Sequence, residues 1–276
     1  MNSKAKVGLI VDNCDQTRQI MELINYSHDS SVYEISHLIV QDIPKKRLFE
    51  LMGKTSIADK ISAGSFKIIT KIEEYFVKSN PQYKKLLPFF KKYSIKDLKL
   101  PIIKVSPEIS ESGYVFRYSK NDLQRIKAEG IELLVRCGSG ILRGEVLNIC
   151  EKGIISFHHA DNRVNRGSPP GFWEVLERQK STGFIIQILN DELDGGDVLF
   201  RGNIATSYLY TLNKIKLYRR ANIFMHKTLE NLFEDTGQRR FYKKEPYFHM
   251  LYRLPSLAKQ SEYILKTGFH ILKKIR

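Results

Sequence analysis

The stretch ISFHHADNRVNRG, residues 155–167, sets two histidines at the end of an apolar run and follows them with Asp161, Asn162, Arg163, Asn165 and Arg166. An apolar run that stops abruptly in ionisable residues is how a buried strand delivers chemical groups to the edge of a sheet. If residues 153–157 form such a strand, His158 and His159 sit at its carboxyl end and point to opposite sides, so only one faces a crevice. Further along, NDELDGGDVL crowds Asp191, Glu192, Asp194 and Asp197 around Gly195 and Gly196. A tight glycine loop of this kind exposes carboxylates, and a carboxylate orients and polarises an imidazole for proton transfer. The same residues also suit a structural histidine and an ordinary surface turn.

The elements that must position these groups alternate. KVGLIV (6–11), YEISHLIVQ (33–41), PIIKV (101–105), IELLVRC (131–137) and GIISFHH (153–159) are β-branched, apolar and short. DNCDQTRQIMELI reads as a capped helix between the first two, and SKNDLQRIKAEG as a helix before the fourth. Apolar strands alternating with helical stretches predict an α/β fold, a mostly parallel sheet with helices on both faces. YTLNKIKLYRRANIFMHKTLENLF (210–233) predicts a long amphipathic helix near the end of the chain.

Two segments stand outside this alternation. Residues 44–100 exceed an ordinary crossover, and their later part carries nine lysines against Glu73, Glu74 and Asp97. It reads as a helical insertion with a solvated lysine face, or as an acceptor-binding element, since Tyr75, Phe76, Tyr83, Phe89, Phe90 and Tyr93 interleave with the lysines. Residues 237–276 hold ten Lys and Arg against Glu245 and Glu262. Their end, 256–276, places Leu257, Ile264, Leu265, Gly268, Ile271, Leu272 and Ile275 broadly on one helical face, which predicts either contact with an anionic membrane or docking on the protein's own domain.

The 276 residues carry a formal charge of +15, which favours an anionic partner: nucleotide, nucleic acid or acidic membrane surface. Cys14, Cys137 and Cys150 are sparse and lack CxxC spacing, so neither a disulfide framework nor a cysteine zinc site is indicated. The apolar run before Asp12 is too short for a signal-peptide core, and no stretch approaches a spanning helix. A cytoplasmic protein, either free or peripheral to the inner face of the membrane, is expected.

From CGSGIL at Cys137, through ISFHHADNRVNRGSPP and STGF, to DELDGGDVL, the chain resembles the folate-dependent formyltransferases. That resemblance implies a Rossmann-like catalytic domain over 1–236, with the basic insertion at about 44–100 and a basic helical extension at 237–276. It implies transfer of a formyl group from N10-formyltetrahydrofolate to an amine, with His158 and Asp194 as the catalytic imidazole and carboxylate and Arg166-Gly167 in the following loop. It places the folate against Ser139, Gly140, Ile141 and Leu142 on one side and Asp191, Glu192 and Leu193 on the other.

One position departs from the pattern. Where the family carries asparagine two residues before the histidine, this chain has Ser156. An amide can donate to the oxyanion that develops on the formyl oxygen, and loss of one such donor costs roughly 3 kcal/mol. Ser156 either donates through its hydroxyl or marks a scaffold whose chemistry has changed.

The resemblance also narrows the acceptor. DNCDQT replaces the Gly- and Ser-rich phosphate turn of glycinamide ribonucleotide enzymes, and Asp12 and Asp15 would repel a phosphate there. Only about 40 residues follow the last core helix, fewer than the domain that methionyl-tRNA formyltransferases append, so tRNA is not expected. What remains is an anionic small-molecule or lipid-linked acceptor, an amino sugar on a nucleotide or polyprenyl phosphate carrier.

Overall fold

A computed structural model describes residues 3–43, 53, 55–164, 166–192, 196–234, 242 and 251–275, with the backbone alone at 95, 97, 166 and 269–275. Seven strands make the main sheet: β1 (Ala5–Val11), β2 (Tyr33–Gln41), β3 (Ile102–Val105), β4 (Leu133–Arg136), β5 (Ile154–His158), β6 (Ser181–Ile188) and β7 (Asp197–Ala205). Their spatial order is β7-β6-β5-β4-β1-β2-β3. The five strands from β3 to β5 are mutually parallel, whereas β6 runs antiparallel to β5 and β7 antiparallel to β6.

The strands are apolar on both sides because both faces are covered. Val7, Leu9, Val11, Leu133, Val135 and Ile155 pack on one face against Ile20, Leu23 and Ile24 of helix α1 (Arg18–Asp29) and Met225 and Leu229 of a long helix over Tyr210–Phe233. Ile10, Ile39, Leu134 and Ile154 pack on the other, with Ile126 of the helix Lys120–Ala128 and with Leu142 and Val146. Leu9, Leu133 and Ile155 are fully buried, and burying such a side chain contributes roughly 1.5–3 kcal/mol.

The polar start expected to cap the first helix behaves differently. Asp15–Thr17 is extended and pairs antiparallel with Lys92–Ser94, so α1 begins only at Arg18. The returning end of the insertion supplies this ladder, and local capping chemistry loses to it.

The insertion is built on helix α2 (Ile57–Ser79), followed by a 3-10 stretch over Pro81–Phe90. Ser56 caps α2 by accepting a hydrogen bond from Asp59 N at 3.1 Å. Its inner face buries Ser62, Phe66, Glu73 and Val77. Helices α3 (Lys120–Ala128), α4 (Phe172–Leu176), α5 (Tyr210–Phe233) and α6 (Leu257–Ile275) complete the set used below.

The C-terminal helix α6 docks on the domain, but not by its leucines. Gln260 Nε2 donates to Ser62 O (2.9 Å) and Pro255 O (2.8 Å), the Tyr263 hydroxyl donates to Glu73 and accepts from Tyr210 N at 2.9 Å, and Lys266 Nζ donates to Leu176 O at 3.1 Å. Leu257, Ile264 and Leu265, the face that one of the two expectations would have packed on the domain, are 49%, 52% and 63% exposed. Hydrogen bonds to α2 and α4 set the helix's rotation, turning Gln260, Tyr263 and Thr267 inward. The side chains of Ile271, Leu272 and Ile275 lie outside the described residues.

Candidate active site

β5 ends beside β4 and β6, with Ser156 opposite Arg136 on one side and Gln187 on the other. Because side chains alternate along a strand, Ile155 and Phe157 join the core facing α1 and α5, whereas Ile154, Ser156 and His158 project to the opposite face. Ser156 is buried; its Oγ donates to Phe157 O at 3.1 Å and accepts from Arg136 Nη1 at 3.4 Å. Arg136 Nη2 also donates to Gly140 O. Gln187 is 3% exposed, and its Oε1 has no hydrogen-bond partner among the described residues. Arg136 and Gln187 were missed in the sequence; the signal was one polar residue breaking each of the apolar runs LLVR and IIQIL.

Loops from distant parts of the chain close over this face. Asp12, at the end of β1, accepts from Ser139 N at 2.8 and 3.0 Å and from Ser139 Oγ at 3.0 Å, while Gln41 Nε2 donates to Asp12 Oδ1 at 2.9 Å and to Ser139 O at 3.1 Å. A Cβ at Gly138 would sit 2.7 Å from Gln41 Nε2 and 2.8 Å from Asp12 Oδ1, so a side chain there would push on this network. Asp12, read as an obstacle to phosphate, therefore anchors the 139–142 turn. Arg143 Nη1 reaches Asn190 O at 3.3 Å and Asp191 Oδ1 at 3.8 Å, bringing the two expected folate-binding segments side by side. Gly140, Ile141 and Leu142 belong to the first; Asp191 and Glu192 are exposed on the second. Leu193 and Asp194, the latter expected to meet His158, lie outside the described residues.

The two histidines have separate environments. His158 Nε2 is buried on the Ser156 face. His159 stacks on Phe157 (centroids 5.3 Å apart, 15° between planes) and stands perpendicular to the Tyr218 ring, with centroids 4.1 Å apart. Burial, reinforced by the neighbouring His158 and Lys214, pushes its imidazolium far below 6.5, so the ring is neutral at pH 7. His159 Nε2 has no hydrogen-bond partner among the described residues.

His159 lines a cavity of about 330 Å³ together with Arg136, Cys137, Phe157 and Tyr218. Burial pushes the Cys137 thiol up to about 12, so it is a neutral wall rather than a nucleophile. Through Thr17, Gln19 and Tyr218 this cavity adjoins a cleft of about 490 Å³ between α2, the 81–90 stretch and α5. Lys67, Thr70, Phe89, Phe90, Lys214 and Tyr210 line the cleft. Of the insertion's lysines, Lys67 lines this hollow while remaining exposed. Burial lowers the Lys214 ammonium, offset in part by Glu74, and the ammonium makes no hydrogen bond or ion pair among the described residues.

Asp161, Asn162 and Arg163, next in the polar run, form an internal clamp. Asp161 accepts from Arg163 Nε (3.1 Å) and Nη2 (2.8 Å) and from Arg201 Nη1, which also donates to Asn162 Oδ1 at 2.8 Å. Burial opposes the Asp161 charge, but these two arginines hold the carboxyl below its usual range. The Arg166-Gly167 pair forms a two-residue bridge with Leu251-Tyr252. Gly167 has φ 111°, and a Cβ there would lie 1.9 Å from Tyr252 O.

No family model matches the chain. Its fold is that of the formyltransferases. Phosphoribosylglycinamide formyltransferase from Bacillus Halodurans aligns with TM-score 0.55 and 14% identity, covering 88% of this chain and all (100%) of the other. A sugar N-formyltransferase from Shewanella sp FDAARGOS_354 aligns with TM-score 0.51 and 17% identity, over 95% and 87% of the two chains.

In sequence the chain is similar to methionyl-tRNA formyltransferases. That of Caldanaerobacter subterraneus subsp. tengcongensis is 33% identical over 84 residues, 30% of this chain and 27% of the relative. That of Desulforamulus reducens is 26% identical over 161 residues, 57% of this chain. The matched segments span about half or less of these relatives' length, 49% in the longer case.

Proposed function

We propose that this chain transfers a formyl group from N10-formyltetrahydrofolate, seated on the His158 face, to the amine of an acceptor reaching it from the adjoining cavity that Arg136 and His159 line, an amino sugar carried on a nucleotide or a polyprenyl phosphate. The observation that carries the reading is the cluster of half-buried Arg136 with buried Ser156 and Gln187 on the His158 face, joined to the 139–142 turn by Arg136 Nη2 donating to Gly140 O. When bound, the folate would supply an activated formyl carbon on a nitrogen leaving group.

The residues present fit a formamide head. In the transfer a bond forms between the acceptor nitrogen and the formyl carbon, the bond from that carbon to the folate nitrogen breaks, and one proton passes from the first nitrogen to the second. Negative charge grows on the formyl oxygen meanwhile, and the Arg136 guanidinium, 3.4 Å from Ser156 Oγ, is a cationic donor on that face. Gln187 Oε1, a buried acceptor without a partner among the described residues, suits an N–H of the amine. Asp194 is proposed to orient His158, and His158 to move the proton.

The cleft supports an anionic acceptor. Lys214 is a desolvated cation facing a hollow, the condition that an anion relieves. Phe89, Phe90 and Tyr210 offer flat surfaces beside it.

The test incubates purified protein with labelled N10-formyltetrahydrofolate and a panel of nucleotide-linked and prenyl-phosphate-linked amino sugars, with aminoacylated initiator tRNA as a further arm. Formylation of an amino sugar that is lost in His158→Ala supports the reading. Formylation of the tRNA alone replaces the acceptor. A second reading, a scaffold that binds without turnover, rests on Ser156 Oγ being committed to Phe157 O; donor binding with no formylated product in any arm would favour it.

A further inference from the structure

The outward face of α2 is apolar. Ile57, Ile61, Ile68, Ile72 and Tyr75 are 77%, 54%, 60%, 64% and 75% exposed. At roughly 100° per residue these five fall within one narrow stripe, on the opposite side of the helix from the buried Ser62, Phe66, Glu73 and Val77. The stripe runs for about 27 Å at a helical rise of 1.5 Å per residue. Lys60 and Lys71, both exposed, fall along one edge of it. Single exposed apolar residues need no explanation, but a continuous row of four isoleucines and a tyrosine marks a contact surface.

We propose that this stripe is a membrane-contact surface, with the isoleucines and Tyr75 seated at the boundary between headgroups and acyl chains and the flanking lysines on anionic headgroups. Two observations select this occupant. The lysines line the margin of the apolar row rather than interrupting it, which is the pattern of a helix lying in a membrane interface. The chain carries +15 overall, so a second copy brought face to face would set like charges against each other, while an anionic bilayer complements them. No described helix is long and apolar enough to cross a membrane, so the contact is peripheral. The surface is distinct from residues 256–276, for which membrane contact was one expectation from sequence.

The experiment is co-sedimentation of the full chain with vesicles of phosphatidylcholine alone and of phosphatidylcholine mixed with phosphatidylglycerol. The expected result is sedimentation with the anionic vesicles that weakens as salt is raised and falls at least about tenfold in Ile68→Ser/Ile72→Ser, roughly 1.4 kcal/mol of binding free energy. Because both side chains point outward, the variant should keep the wild-type circular dichroism melt. Lys60→Ala/Lys71→Ala should weaken the anionic arm selectively. Failure of the wild-type protein to sediment with anionic vesicles, or equal sedimentation of Ile68→Ser/Ile72→Ser, would overturn the proposal. A concentration-dependent dimer in ultracentrifugation, lost in the same variant and accompanied by no vesicle binding, would overturn it in favour of a second copy.

Discussion

Arg136 and Ser156 face each other across neighbouring parallel strands, with the guanidinium Nη1 3.4 Å from the serine Oγ. A cation thereby stands beside the position at which the resemblance calls for an asparagine amide. If it takes over that role, Arg136→Ala lowers turnover by roughly a hundredfold, the scale of one lost oxyanion donor. Adding Ser156→Asn to that variant then restores part of the loss. An arginine that merely holds the Gly140 carbonyl would show no such rescue, and steady-state rates of the four forms on an acceptor that turns over separate the two cases.

Asp12 gathers Ser139 N, Ser139 Oγ and Gln41 Nε2 on one carboxylate. Asp12→Ala frees the 139–142 turn, and stability in urea should drop by about 1–3 kcal/mol, the usual scale for losing hydrogen bonds to a charged group. Titration with 5-formyltetrahydrofolate, a non-transferring analogue of the donor, should show weaker binding. Unchanged affinity would remove the 139–142 segment from the folate site.

Lys214 lies desolvated at the cleft without an ion pair among the described residues. Its ammonium is depressed by burial, so it costs stability in the unliganded protein. Lys214→Met should therefore raise the thermal midpoint while abolishing the stabilisation that uridine diphosphate or farnesyl diphosphate confers on the wild-type protein. Equal thermal shifts with these ligands in both forms would place the anion elsewhere.

His159 is neutral when folded, with its imidazolium far below the ordinary 6.5. The unfolded chain binds a proton there as pH falls through 6.5 and the folded chain does not, so stability is lost on acidification below that value. In His159→Phe the unfolding free energy should fall less steeply between pH 6.5 and 5 by about 1.4 kcal/mol per pH unit, one proton's worth. Parallel slopes in wild type and variant would show that His159 is protonated in the folded protein.

Gly167 combines φ 111° with a backbone oxygen 1.9 Å from any Cβ. Gly167→Ala should detach the 251–252 strand, costing about 1–3 kcal/mol for the strained backbone before the clash is added. Faster proteolysis between residues 234 and 256 would report it.

Much of the architecture could be read from local pattern. The five parallel strands fall where β-branched runs lie between helical periods, and the 210–233 helix matches its amphipathic spacing within the chain. Those features depend on neighbours a few residues apart, and burial on both faces leaves a continuous apolar signature. The order of His158 and His159 on opposite faces follows likewise from the two-residue repeat of a strand.

What local pattern could not show was which polar groups meet. Asp12 reaches Ser139 across 127 positions, Ser156 takes Arg136 from one neighbouring strand and faces Gln187 on the other, and Gln260 finds Ser62 from the far end of the chain. The opening polar run split accordingly: Asp161, Asn162 and Arg163 went to an internal clamp with Arg201, and the two histidines to separate sites. The amino-acid sequence determined the strands, the helix periods and the charge. Register between strands and the rotation of α2 and α6 decided the site, because these depend on contacts between segments whose separation along the chain carries no local signal.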